Sequence, residues 1–312
     1  MAMKIAVVYD RDGWCWHYQS LAIQKYAPSK YQVDVFCSGC FRIPMASQYD
    51  AILYFSWPEA PILPVREVVV SAHMGVTMNP GESGATKLRN RASATWRLPI
   101  FNGIICVNLK LEEFCSQIIP ATYLPAGVDL DVFTPRHEPD INEPIRIGWC
   151  GQLGTEHKGY RAVLCPLMQE FPQFEWSVNG RTAGDPLSQS DMAKWYQTLD
   201  LFLCTSAHEG TPMPPLEAAA SGVPVLTTDV GDMDQFAQFM QVPAWHDEQS
   251  AADAVRELAS ALEWLTNGGA SSAKRRLYGL GELCRREVER RADWRQLAPQ
   301  WLDYVAGVGG TL

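Results

Sequence analysis

The sequence predicts an α/β protein made of two domains, each built on a parallel β-sheet. Three observations predict this class. The chain has 312 residues, which is more than one hydrophobic core usually spans. Short apolar segments of strand length alternate with segments of helical periodicity, first before and then again after residues 135–144. That interval holds three prolines and is otherwise mostly polar, which is typical of a linker between domains.

The first domain is predicted from apolar runs that are nearly continuous, as expected for strands covered by helices on both faces. The predicted strands are Lys4–Tyr9, Gln32–Cys37, Asp50–Phe55, Glu67–Ser71 and Gly103–Asn108. Helical spacing occurs between them at Tyr18–Tyr26 and Leu109–Ile118.

The second domain repeats this alternation. Its predicted strands are Ile145–Cys150, Phe174–Asn179, Leu199–Cys204 and Val223–Thr227. Its predicted helices are Tyr160–Gln169, Asp191–Thr198, Pro214–Ser221 and Asp232–Met240. The remainder from Ser250 is expected to be helical, and the apolar stripe of the last helix, which includes Trp294 and Trp301, must pack against another surface.

Composition narrows the class of protein. Hydrophobic residues make up 47% of the chain and charged residues 20%, which is usual for a globular protein. No run of 18 apolar residues occurs and the N-terminus is too soon interrupted for a signal peptide, so we expect a cytoplasmic protein without a membrane span. The net charge of −9 disfavours nucleic acid and anionic membrane as general partners. The nine cysteines, including the pair Cys37 and Cys40, form no disulfide or zinc pattern, so we interpret them as structural.

The most informative segment is residues 206–226, which follows a predicted strand, crosses a Gly/Pro loop and enters a helix. Glu209 lies on the loop and Glu217 on the helix, with seven residues between them. Ligands of open parallel sheets bind where strands end, and carboxylates accept hydrogen bonds from the vicinal hydroxyls of a sugar or ribose. The backbone amides of Gly210 and Thr211, near the start of the helix, suit an anion such as a diphosphate. These features together predict a nucleotide-sugar site.

The same residues carry a resemblance to a known enzyme family. The Glu-x7-Glu spacing is followed by Gly222, Pro224 and Val225, and this pattern resembles the signature of glycosyltransferase family 4, which has the GT-B fold. Three further segments between Gly103 and Gly231 are similar to the family in order and spacing. They are Tyr123–Pro135 with its Gly-Val-Asp, Ile147–Gly159 with its Lys-Gly, and Tyr196–Ser206.

The resemblance implies a domain layout and a reaction. It implies two Rossmann-like domains with a cleft between them: an acceptor domain at 1–136 and a donor domain at 145–290. The helix at 291–312 would return to the first domain. The implied activity is retaining transfer of a hexose-type sugar from a UDP- or GDP-sugar, without an essential cofactor or metal. The acceptor is an unidentified hydroxyl of a glycan, a lipid-linked sugar, a small molecule or a modified nucleic acid, and the oligomeric state is open.

The resemblance also implies roles for individual residues. Those implied to be catalytic are Glu209, His73 and Lys158. Those implied to bind the donor are Gly13, Gly151, Gln152, Lys158, Arg181, Glu209, Gly210, Thr211 and Glu217. Gln152 stands where the family commonly has arginine, and we therefore expect Arg181 to meet part of the phosphate charge.

Acceptor residues are sought in the first domain, where the resemblance is weakest. Trp14 and Trp16 follow the first strand and can stack on a sugar ring. Arg89 and Arg91 belong to the basic segment 86–97, which suits an anionic acceptor or a peripheral membrane contact, although an amphipathic helix packed on the sheet is the simpler interpretation.

Alternatives remain open at this stage. One is an epimerase or phosphorylase of the same fold, and another is a non-catalytic module that binds a nucleotide-sugar. The Asp129-Leu130-Asp131 and Asp232-Met233-Asp234 segments imitate a metal-binding motif, but we interpret both as structural.

Overall fold

The computed structural model describes residues 2–41, 46–55, 66–70, 95, 97–181 and 187–308. The chain divides into two compact units. The first unit comprises Met1–Asp129 and Ala292–Leu312, and the second comprises Leu130–Arg291. Residues 135–144, which read as a linker, fall inside the second unit, where the Arg136 amide donates to the Ser221 carbonyl oxygen (2.9 Å).

The first unit is built on a sheet of six parallel strands in the order β2-β1-β3-β4-β5-β6, counted over the described residues. The strands are β1 Met3–Tyr9, β2 Tyr31–Cys37, β3 Ala51–Tyr54, β4 Arg66–Val70, β5 Gly103–Cys106 and β6 Ala121–Tyr123. Two helices of this unit are α1, Cys15–Lys25, and α2, Leu109–Cys115, and a 3-10 turn spans Leu98–Ile100. Strand β1 lies between β2 and β3, and its last five residues are buried, as its apolar sequence predicts.

The last helix of the chain, Trp294–Gly307, belongs to the first unit and packs into its core. Trp301 is fully buried, stacks on Phe55 with ring centroids 5.8 Å apart, and donates its indole N–H to the Pro125 carbonyl oxygen. Gly127 lies against Trp294 so closely that a Cβ there would stand 2.6 Å from the indole ring. The apolar stripe of this helix therefore completes the first core.

Over the residues described for it, the second unit has a parallel five-stranded sheet in the order β11-β10-β9-β7-β8. The strands are β7 Arg146–Gln152, β8 Glu175–Arg181, β9 Leu201–Cys204, β10 Val225–Thr228 and β11 Met240–Val242. The helices of this unit are α3 Cys165–Glu170, α4 Gln189–Gln197, α5 Met213–Ala220, α6 Glu248–Thr266 and α7 Ala270–Arg291, which makes the terminal helix α8. A 3-10 turn at Glu156–Lys158 and a π-helical turn at Tyr160–Leu164 precede α3.

The predicted helix at Asp232–Met240 is wrong. The structure has a short 3-10 turn at Met233–Gln235 and then strand β11. Met233, Phe236 and Phe239 recur at helical spacing, but they do so because all three fill the core, with the two phenylalanine rings stacked 5.0 Å apart. The three-residue strands β6 and β11 were too short for a periodicity to indicate them.

The terminal helix gives a direct test of the first core. We expect Trp301→Ala to lower the free energy of unfolding by about 3–5 kcal/mol, because it removes a fully buried ring and leaves a cavity. Urea denaturation measures the change. Trp264→Ala is the matched control, since that tryptophan is 66% exposed on α6 and its loss should change stability by no more than about 0.5 kcal/mol. Equal effects of the two substitutions would contradict the packing described for α8.

Candidate active site

Three loops of the second unit meet at one edge of its sheet. Strands β7, β9 and β10 are parallel neighbours, so the segments that follow them leave the same edge. These segments are residues 153–159 after β7, 205–212 after β9 and 229–232 after β10. The Ala207 amide donates to the His157 carbonyl oxygen (2.7 Å), and the Thr228 hydroxyl donates to the Ser206 carbonyl oxygen (2.5 Å). The three loops therefore form one hydrogen-bonded layer.

Thr205 is the centre of this layer. Its hydroxyl donates to the Lys158 carbonyl oxygen (2.8 Å) and accepts from the Trp149 indole N–H (2.9 Å), and its carbonyl oxygen accepts from Trp245 (2.8 Å). Gly159 turns the chain directly against Thr205 with φ of +75°, and a Cβ there would lie 2.3 Å from the Thr205 oxygen. Only glycine fits this turn, so the Lys158-Gly159 pair fixes the position of the lysine.

Lys158 and Glu209 form an ion pair across the layer. The Lys158 Nζ lies 2.5 Å from Glu209 Oε1, and the Ser206 hydroxyl donates to the same oxygen (2.8 Å). The two side chains are 25% and 11% exposed. No hydrogen bond from the described residues reaches Glu209 Oε2, so this oxygen is available to a ligand hydroxyl.

The ion pair keeps both groups charged. Burial alone would raise the pKa of Glu209, but the Lys158 ammonium and the Ser206 hydroxyl outweigh it, so that pKa is lowered. Burial would likewise lower the pKa of Lys158, and the Glu209 carboxylate raises it instead. At neutral pH the edge of the sheet therefore presents a fixed carboxylate beside a fixed ammonium.

Glu217 has a different partner. It lies on α5, and its Oε2 accepts a hydrogen bond from the hydroxyl of Tyr196 (2.9 Å), a fully buried residue at the end of α4. The side chain of Glu217 is half-buried. The two glutamates of the Glu-x7-Glu pattern are thus oriented independently, one by Lys158 and Ser206 and the other by Tyr196.

Gly151 and Gln152 end strand β7. A Cβ on Gly151 would stand 2.7 Å from the ring of Trp149, which gives this glycine a packing role. Gln152 accepts a hydrogen bond from the Thr155 hydroxyl at its side-chain oxygen (2.8 Å) and so shapes the loop that leads to Lys158. Arg181 lies opposite Gln152 in the β7–β8 register, and its backbone alone is described. Their roles toward a donor stay predictions.

Gly210 and Thr211 pack against the loop after β10. Gly231, with φ of +64°, approaches so closely that a Cβ would lie 2.6 Å from the Gly210 carbonyl oxygen. The next residue, Asp232, is fully buried, and neither of its carboxylate oxygens has a hydrogen-bond partner of good geometry among the described residues. Burial raises the pKa of Asp232 to about 8, against a smaller lowering by the Thr211 side chain. Sequence patterns did not indicate this buried acid.

The first unit, described by itself, has a loop after β1 that includes Gly13. Gly13 adopts φ of +73° and its amide donates to His17 Nδ1 (2.9 Å). The Arg11 guanidinium lies 4.8 Å from the ring centroid of Trp14, and Trp16 stacks on Phe55 at 5.1 Å and so joins the core. His17 was missed in the sequence, because a single histidine without a spaced partner carries no recognisable signal.

Three predicted site residues, His73, Arg89 and Arg91, lie outside the described residues, as does most of the basic segment 86–97. Among the residues that the structure does describe, no helix has the length and apolar character needed to cross a membrane. Over those same residues, no group of three or more His, Cys, Asp or Glu side chains could hold a metal ion. The predicted independence of metal stays a prediction.

Comparison with known proteins points to the same region. Residues 177–265 match the family model described as Glycosyl transferases group 1, and this segment contains both Glu209 and Glu217. A curated relative is the lipopolysaccharide core biosynthesis mannosyltransferase LpcC of Rhizobium leguminosarum bv. viciae, 25% identical over 185 residues. That match covers 48% of this chain and spans only about half (51%) of the relative.

Solved structures cover nearly the whole chain. A sucrose-phosphate synthase from Thermosynechococcus elongatus superimposes with a TM-score of 0.73 at 14% identity, over 97% of this chain and 98% of that one. The Anabaena protein HepE, in complex with UDP and glucose, gives a TM-score of 0.70 at 14% identity, over 98% and 100%. Identities this low show the fold alone. The prediction of a GT-B α/β protein with two Rossmann-like domains is confirmed.

Asp232 predicts a pH dependence of stability. Its carboxyl holds a proton more tightly in the folded chain than in the unfolded chain, where the pKa is about 4. Stability therefore falls as pH rises from about 4 towards 8, and the loss ends above the folded-state pKa. We expect Asp232→Asn to gain about 1 kcal/mol or more over the wild type between pH 5 and 8.

Urea denaturation at several pH values measures this difference. Asp234→Asn is the control, because that carboxylate is exposed and is the smallest of the influences on the pKa of Asp232, so its removal should change the slope of stability against pH only slightly. Parallel stability curves for the wild type and Asp232→Asn would show that Asp232 does not titrate while buried.

Proposed function

We propose that this protein is a glycosyltransferase that moves a hexose-type sugar from a nucleoside-diphosphate sugar to an acceptor hydroxyl. The observation that carries the proposal is the Lys158–Glu209 ion pair at the edge of the second sheet. Glu209 lies on the same strand–loop–helix turn as Glu217. The match of residues 177–265 to Glycosyl transferases group 1 supports it. So does the UDP and glucose held by the structural neighbour HepE, although that ligand belongs to the neighbour.

The side chains at this edge of the second sheet can accept and donate the hydrogen bonds that a nucleotide-sugar donor requires. Glu209 Oε2 accepts a hydrogen bond from a sugar hydroxyl while Oε1 remains bound to Lys158 and Ser206. Glu217, oriented by Tyr196, accepts from the ribose hydroxyls. Lys158 supplies the positive charge that a diphosphate needs as it departs, and Gly210, Thr211, Gly151, Gln152 and Arg181 complete the donor site.

The reaction we propose retains the anomeric configuration without a covalent intermediate. The bond from the anomeric carbon to the diphosphate oxygen breaks, and the acceptor oxygen bonds to the same face of the sugar. The acceptor proton passes to the departing phosphate. The protein contributes position and charge: Glu209 holds the sugar, and Lys158 stabilises the negative charge that develops on the leaving group. His73, outside the described residues, is proposed to lie near the reacting sugar.

The acceptor we propose is a hydroxyl of a glycan or lipid-linked sugar. The curated relative is a lipopolysaccharide core mannosyltransferase, and this name favours such an acceptor over a small molecule or nucleic acid. Mannose and glucose, carried by GDP or UDP, are the sugars to test first. We propose that the reaction needs no metal and that the protein is cytoplasmic, as expected from the sequence. If the acceptor is lipid-linked, we propose a peripheral membrane contact.

Matched substitutions of the two glutamates test this assignment. The experiment measures thermal shift and isothermal titration with UDP, GDP and their glucose and mannose conjugates, together with release of the nucleoside diphosphate. A ligand at 100 times its dissociation constant should stabilise the wild type by about 2.7 kcal/mol. Glu217→Gln should weaken binding of the preferred nucleoside diphosphate about tenfold, because it alters the acceptor of the ribose hydroxyls. Glu209→Gln should keep that binding within about threefold and slow sugar transfer or hydrolysis about 100-fold.

Glu263→Gln serves as the control, since Glu263 is an exposed residue of α6 and its substitution should leave both quantities at wild-type values. If Glu217→Gln leaves the affinity for the nucleoside diphosphate unchanged, Glu217 does not belong to the donor site. Binding without any sugar transfer or hydrolysis would favour the non-catalytic module, and donor turnover to an isomeric sugar without acceptor would favour an epimerase.

A further inference from the structure

The second unit has a cavity of about 900 Å³ between the π-helical turn at Tyr160–Leu164 and the first turns of α6. Ligand cavities generally measure about 300–1,000 Å³ and combine an apolar lining with a few polar groups. The described lining includes none of the residues assigned to the donor. It does include residues 153–156, which belong to the loop that leads to Lys158. The cavity is therefore a separate feature of the second unit, connected to the candidate active site by one loop.

The local sequence leaves this space open. One face of α6 lines it, at positions i, i+3, i+4, i+7 and i+8 from the first residue of the helix. Ala251, Ala252 and Val255 are the small side chains of that face, and they do not fill the gap. The other wall is the π-helical turn, in which the Leu164 amide donates to the Gly159 carbonyl oxygen (3.0 Å). Turns of this kind are rare and occur frequently at functional sites.

Two aromatic rings line the cavity and are held in place. The Trp245 indole N–H donates to the Thr205 carbonyl oxygen (2.8 Å), which fixes the orientation of that ring. The Tyr160 ring packs at a tilt on Trp149, with centroids 5.5 Å apart. Trp245 and Tyr160 are both half-buried. An aromatic ring held in this way offers a flat apolar surface on which the C–H face of a sugar ring can pack.

Charged side chains surround this apolar lining. Glu156, Arg161 and Glu248 line the cavity and are exposed, and their side chains have no hydrogen bond or ion pair within the described part of the chain. Arg256, by contrast, is paired with Asp253. Two carboxylates and one guanidinium without partners can accept and donate the hydrogen bonds that hydroxyl groups make.

This combination of groups decides the class of ligand. An anionic ligand would meet the carboxylates of Glu156 and Glu248, and like charges brought close together are unfavourable. An alkyl chain would leave these carboxylates and Arg161 without a use. A neutral sugar matches both parts of the cavity, because its C–H face packs on an aromatic ring while its hydroxyls bond to the charged groups.

We infer that this cavity is a second carbohydrate site, which binds an uncharged sugar unit of a glycan with its ring packed on Trp245 or Tyr160. The site goes beyond the proposed function, since its ligand carries no nucleotide. The loop after β7 and the hydrogen bond from Trp245 to Thr205 connect it to the layer that holds Lys158 and Glu209. A glycan bound in the cavity therefore lies next to that layer.

Sugar binding by four variants tests this inference. Ala252→Trp places a ring in the cavity and removes no polar group. Ser260→Trp is its matched control, at an exposed position of α6 that does not line the cavity. Arg161→Ala removes one hydrogen-bond donor, and Glu209→Gln separates the cavity from the donor site. The measurements are saturation-transfer NMR and isothermal titration of the full chain with maltose, lactose, cellobiose and mannobiose. Thermal unfolding checks that each variant is folded.

We expect the wild type to bind at least one of these disaccharides, with saturation transfer to its C–H protons. Ala252→Trp should weaken this binding about tenfold or more, because the added ring occupies the space of the sugar. Arg161→Ala should weaken it about fivefold. Ser260→Trp and Glu209→Gln should keep it within about twofold. The affinity of Ala252→Trp and Arg161→Ala for UDP and GDP should equal that of the wild type.

Failure of all four disaccharides to bind would overturn the inference, as would binding that persists in Ala252→Trp or is lost equally in Ser260→Trp. Loss of binding in Glu209→Gln would place the sugar in the donor site instead. Tighter binding of hexanol or of a glucose phosphate would assign the cavity to an apolar or an anionic ligand. If Ala252→Trp does not fold, Arg161→Ala still decides. A wild type that binds these sugars in the cavity but binds no nucleotide would contradict only the proposed function.

Discussion

The Lys158–Glu209 ion pair is the constraint on which the candidate site depends. The pair joins the segment after β7 to the segment after β9, and these strands are neighbours in the second sheet. Removing two charges from water is costly, and their attraction compensates only when geometry and additional hydrogen bonds are good. Here Ser206 supplies such a bond, and the Thr205 hydroxyl donates a hydrogen bond to the Lys158 carbonyl oxygen. A pair built in this way keeps a carboxylate charged at the edge of the sheet, where a ligand can reach its second oxygen.

This arrangement explains several residues that have no direct part in chemistry. Gly159 is required because any side chain would meet the Thr205 oxygen, and Gly151 leaves room for the Trp149 ring that donates to the Thr205 hydroxyl. Tyr196 is buried yet polar, and its hydroxyl orients Glu217. The residues that pack the sheet and the residues proposed to bind the ligand therefore lie at the same strand ends. Rossmann-like sites are generally built in this way, with binding loops at the edge of a rigid sheet.

The sequence predicted much of this architecture for clear physical reasons. Parallel strands that are buried on both faces leave long apolar runs, so β1, β3, β5, β7 and β9 were located from sequence to within a few residues. The resemblance to glycosyltransferase family 4 also implied that Lys158 and Glu209 would serve one donor site. The sequence could not show that the two would bind each other, because that depends on strand order, which places β7 beside β9.

Other features depend on contacts that sequence spacing does not encode. The segment 232–240 has helical spacing, yet Phe236 and Phe239 point into a core made by other elements, and tertiary packing overrides the local pattern. Asp232 was interpreted only as structural, and the sequence did not indicate that its carboxyl group is fully buried. The sequence alone did not indicate that the ring of His17 accepts a hydrogen bond from the Gly13 amide.

The most direct test of the central claim is a crystal structure of the protein with its preferred nucleoside diphosphate bound. We predict electron density for the ribose within hydrogen-bonding distance of Glu217 and for the diphosphate beside Lys158, at the edge where β7 and β9 end. Density for the nucleotide at the opposite edge of that sheet, with Lys158 and Glu209 still paired and remote from it, would contradict the account.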